Sequence, residues 1–177
     1  FQYHGCFDDY FSTLVGNVLY WSFKYVMKGI LWFDLESQIL DVLEGPSRMY
    51  HSGNHQIIQA EDGVVGLATM SRHYIQMWQR NVNCHGVSTW MLWKTIEMHN
   101  ILGIPPQAEG QKTWLKFILG YAEDTDGIFL YMNGSVYMVE LESMQSRKLC
   151  EARNTITYCH SFRSFYAPGD RSFLLIL

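Results

Sequence analysis

The sequence predicts an all-β chain of about three to four small antiparallel sheets, and three observations carry that prediction. Aromatic residues make up 15% of the 177, with six Trp and eleven Tyr, and flat aromatic side chains suit a pleated, half-buried surface. Turn signals recur at short intervals, and the segments between them have strand length. One strand pattern then repeats along the chain.

The first set of strands is expected at 17–23, 29–35 and 38–43, closed by the break at Gly45-Pro46-Ser47. Within 29–35, alternation sends Leu31 and Phe33 to one face and Trp32 and Asp34 to the other. The second set runs through 56–60, a turn at 61–63, then 64–70 and 74–80 around Ser71-Arg72-His73. Residues 88–98 fit a strand, although Trp90, Trp93 and Ile96 also fall at helical spacing. Strand is the preferred reading, with a helical turn near 99–102 before Gly103-Ile104-Pro105-Pro106.

The third set is the cleanest. Strands are expected at 115–122, 128–132, 135–141 and 145–150. Asn133-Gly134 forms a two-residue hairpin turn, because both positions of such a turn need positive φ. One or two short strands follow in 155–166.

The repeat lies between the first and third sets. Residues 18–21 lead to Trp32–Ser37 and then Val42–Glu44, while residues 129–131 lead to Met138–Ser143 and then Leu149–Glu151. Both read strand, turn, strand, acidic-Leu-Glu-Ser, turn, strand. A small sheet cannot cover both of its apolar faces alone, and stacking on the next sheet does so. Repeats of this size are the mark of propeller blades. The expected fold is a partial or open β-propeller in one domain over 1–177. Its blades are placed near 13–45, 55–98 and 114–151, with closing strands at 154–166. Propellers close with four to eight blades, so this chain is either a piece of a longer propeller or an open half-propeller.

Composition limits the function. Hydrophobic residues are 48% and charged residues 17%, which is globular. The net charge is −4, and no basic run exceeds Arg147-Lys148, so no nucleic-acid partner is expected. No stretch reaches the roughly 20 apolar residues of a membrane-spanning helix, so no membrane partner is expected. Cys6, Cys84, Cys150 and Cys159 fit no CxxC pair and no secretory signal is visible. They read as free thiols in a reducing cytoplasmic or nuclear compartment.

No constellation for chemistry emerges. Cys84-His85 and Cys159-His160 are adjacent pairs that would point to opposite strand faces, whereas zinc ligands are usually spaced by two to five residues. Glu123–Gly127 resembles a calcium loop, but the first and twelfth ligand positions would be Ala122 and Asn133. Asn133-Gly134-Ser135 is a sequon already explained as a turn. The acidic pairs Asp34/Glu36 and Glu140/Glu142 read as charges that keep sheet edges soluble. Trp21, Trp32, Trp78, Trp90, Trp93 and Trp114 read mostly as core, with some serving as partner anchors. The expectation is no enzyme, no cofactor and no metal, with catalytic residues none and partner-contacting residues unassigned.

Longer stretches bear a family resemblance. Residues 139–151, VELESMQSRKLCE, and 160–169, HSFRSFYAPG, closely resemble the C-terminal part of the grass F-box protein family. Ser161 stands where that pattern more often has Pro. Residues 120–129, 93–97 and 30–35 look similar too, and the resemblance spans roughly 13–169. It implies an F-box-associated β-propeller-type domain that captures a target protein for ubiquitination. In that family an N-terminal F-box docks on the adaptor of an SCF-type cullin-RING ubiquitin ligase. No F-box pattern is read in residues 1–15, and residues 170–177 do not look like a family ending. Adaptor binding is therefore expected only through an F-box that this chain lacks. The competing readings are a small-ligand or glycan-binding propeller, a hydrolase of propeller type, and a truncated, aggregation-prone paralogue.

Overall fold

The computed structural model describes residues 12–22, 29–46, 54–71, 73–103, 116–152, 158–163 and 171–176. Cys6, Trp114 and the segment 164–170 lie outside them. The described residues form fourteen strands, one short α-helix and one 3-10 turn at Glu61–Gly63, so the all-β expectation holds. The chain divides into two compact units, residues 1–95 and 96–177.

The first unit contains two four-stranded antiparallel sheets. Strands β1 (Thr13–Val15), β2 (Val18–Ser22), β3 (Ile30–Asp34) and β4 (Leu40–Leu43) lie side by side in chain order. Strands β5 (His55–Gln59), β6 (Val65–Met70), β7 (Tyr74–Val82) and β8 (Ser88–Glu97) make the second sheet, also in chain order. Between these sheets sits a core of Val15, Tyr20, Ile30, Leu43, Ile57, Val65 and Leu67. Val18, Trp32, Trp78 and Trp90 pack on it from the flanks. Trp32 pairs across the strands with Tyr20 and Asp41, so these three share the inward face. Leu31 and Phe33 take the opposite face, as alternation requires.

Strand β1 was not expected as a separate element. Gly16, at φ +60°, lets the chain turn back after three residues. Thr13 is polar yet 3% exposed, because its Oγ1 donates to the Ile57 carbonyl at 3.2 Å. That bond ties the first sheet to the second. The residues 88–97 are strand, and the helical turn begins one residue earlier than expected, as α1 (Met98–Leu102). Gly103 ends it at φ +62° in the left-handed region.

The second unit holds a third sheet and a two-stranded ladder. Strands β9 (Lys116–Ala122), β10 (Gly127–Met132), β11 (Ser135–Glu140) and β12 (Ser146–Glu151) run antiparallel in chain order. Asn133 and Gly134 have φ of 50° and 84°, the two positive angles that the β10–β11 turn needs. Phe117 and Tyr131 face each other across the strands and stack at 4.8 Å. Strand β13 (Tyr158–Arg163) pairs with β14 (Arg171–Ile176). Residues 171–176 form the second strand of this ladder. Cys159 of β13 is buried in a core with Leu119, Ala122, Phe129, Tyr131, Val136 and Met138.

The repeat seen in the sequence is repeated in backbone detail. In the first sheet the Asp34 N–H donates to the Ile39 carbonyl and the Gln38 N–H to the Asp34 carbonyl, with Gln38 at φ +57°. In the third sheet the Glu140 N–H donates to Gln145 and the Met144 N–H to Glu140, with Met144 at φ +58°. The Leu-Glu-Ser triplet is therefore the body of the same hairpin loop in both sheets.

Candidate functional site

A concave site among the described residues opens in the first unit. It is a cavity of about 620 Å³, a size typical of ligand pockets. Its lining includes Trp32 from β3, Trp78 and Arg80 from β7 and Trp90 from β8, together with the exposed Asp41 and Glu44. Trp78 and Trp90 come from the neighbouring strands β7 and β8 of one sheet, and Trp32 joins them from β3 of the other. The Trp90 Nε1 donates to the Glu44 carbonyl at 2.7 Å, which fixes that ring against the segment after β4. The Trp78 Nε1 donates to Thr69 Oγ1 at 3.3 Å, and Thr69 Oγ1 donates to the Gln76 carbonyl. Two of the three indoles are thus held by hydrogen bonds before any partner arrives, which lowers the ordering cost of binding.

The charges divide by depth. Arg80 is half-buried and its Nε is a buried donor with no hydrogen-bond partner among the described residues. Asp41 and Glu44 are exposed, and Asp41 Oδ1 accepts from the Val42 N–H at 2.8 Å. Tyr20 lies within reach of the Arg80 charge. Burial pushes its phenol up, Arg80 partly offsets this, and Asp34 adds to the rise.

The residues singled out in the sequence take other roles. Cys84-His85 does not sit on a strand. It lies in the exposed loop between β7 and β8, where Asn83 Oδ1 accepts from the N–H groups of His85 and Val87. Cys159 is buried, and burial pushes its thiol up to about 12, with Cys150 adding to the rise. The His160 side chain falls outside the described residues. Glu123–Gly127 is a turn in which the Tyr121 hydroxyl donates to Asp126 Oδ1 at 2.7 Å. Asp34 caps its loop: Oδ1 accepts from the N–H groups of Glu36 at 2.9 Å and Ser37 at 2.8 Å. Those bonds hold its carboxyl below the usual range. Glu140 accepts from the Ser143 hydroxyl in the matching loop. Trp21 is half-buried on the first sheet and Trp93 half-buried on β8. Sequence reasoning did not group Trp32, Trp78, Trp90 and Arg80; only the register of two sheets does.

Three chain-ordered four-stranded sheets, two of them sharing this loop repeat, define a β-propeller-type domain. The family described as "F-box protein AT5G49610-like, beta-propeller" matches residues 8–166. The chain belongs to that family, whose β-propeller domain points to a role in protein interaction. A search of the curated proteins finds no match. Among solved structures, the chain is similar to the extracellular domain of a protein described as a one component system, BT4673, from B. thetaiotaomicron. The identity is 15% and the TM-score 0.35, over 81% of this chain and 17% of that one.

Proposed function

We propose that this domain is the substrate-recognition part of an F-box protein of an SCF-type ubiquitin ligase, with no catalysis of its own. The observation that carries the reading is the family match over residues 8–166. The cavity supports it, because Trp and Arg are the residue types that dominate protein-binding hot spots. In this reading the target protein docks on the β domain, and an F-box outside residues 8–166 holds the ligase adaptor in the cytoplasm or nucleus. Ubiquitin transfer is the work of the other ligase subunits, so the domain needs only to bind and position.

The test uses the full-length protein with its F-box, purified together with the adaptor and cullin-RING subunits. Adaptor should co-purify and be lost on deletion of the F-box. A protein retained by the β domain should be ubiquitinated only when both parts are present. A full-length protein that recovers no adaptor, or that binds targets whose ubiquitination ignores the β domain, contradicts the reading. A second reading, a glycan-binding domain, is favoured by the three indoles of the cavity, whose faces suit sugar rings. A glycan-array hit that Trp90→Ala abolishes, with no protein target, would establish it instead.

A further inference from the structure

We draw no further inference here: the strongest candidate, the apolar face that the first sheet turns away from the second, where Leu14, Leu19, Phe33 and Leu40 share one cross-strand row and Leu31 and Val42 pair in another, carries none, because nothing among the described residues shows what covers it.

Discussion

Replacing Gly120 by alanine adds one methyl group whose surroundings are already occupied. A Cβ at that position would lie 2.4 Å from the Cys159 carbonyl oxygen and 3.5 Å from its carbonyl carbon. Carbon and oxygen normally approach no closer than about 3.3 Å. The neighbour is backbone of β13 and cannot rotate aside, so that strand must retreat by roughly 0.9 Å at this point. Gly120 also sits beside a bulge, since Phe129 pairs with Gly120 while Leu130 pairs with Ile118. Overpacking of this kind costs about 1–3 kcal/mol. Alanine regains about 0.5–1 kcal/mol because glycine is the poorer strand residue. The net loss expected in a urea titration is up to about 2.5 kcal/mol. A local readout accompanies it: alkylation of Cys159 should speed up as β13 lifts from β9. A variant more stable than the parent, with Cys159 still protected, would refute the close approach of these two strands, because the conformational term alone favours alanine.

Three further outcomes follow from the loops and thiols. Gln38 is exposed at φ +57°, a region that costs non-glycine residues about 1 kcal/mol. Gln38→Gly should therefore raise stability by up to about 1 kcal/mol in the same urea titration, and destabilisation would count against the loop geometry. Site-resolved alkylation at pH 8 should label exposed Cys84 rapidly and buried Cys159 slowly, because burial leaves the Cys159 thiol protonated. Equal rates would contradict the β13 packing. The Asp34 carboxyl is held below its ordinary range by the Ser37 and Glu36 N–H groups, so it binds its proton less readily folded than unfolded. Its stabilisation is present above the unfolded pKa and is lost as pH falls through the folded one. Asp34→Asn keeps an acceptor oxygen and should flatten that acid limb in pH-dependent melting; an unchanged limb would remove Asp34 from the account.

How much of this was legible in the sequence depends on whether the signal is local. Asn133-Gly134 prescribes its own turn, and the structure gives it the two positive angles. The Leu-Glu-Ser repeat marks a recurring loop, although the acidic residue before it was assigned to solubility. Asp34 in fact caps backbone N–H groups, a role that needs the loop geometry to be visible. Strand β1 escaped notice because three residues carry almost no periodicity, and its inward Thr13 is paired with a carbonyl 44 residues away. Strand β14 escaped because an apolar run gives no alternation to read. The cavity was beyond local reasoning altogether. Trp32, Trp78 and Trp90 come from three strands of two sheets, and their meeting is set by stacking.

The measurement that bears most directly on the recognition role uses the indole N–H signals of the six Trp residues in a two-dimensional nitrogen–proton NMR spectrum. Titration with a bound partner peptide should shift the signals of Trp32, Trp78 and Trp90 together, with one common saturation curve, and leave Trp21 and Trp93 in place. Shifts confined to other indoles, or a bound peptide that moves none of the three, would contradict the claim that this β-propeller domain recognises proteins through its tryptophan-lined cavity.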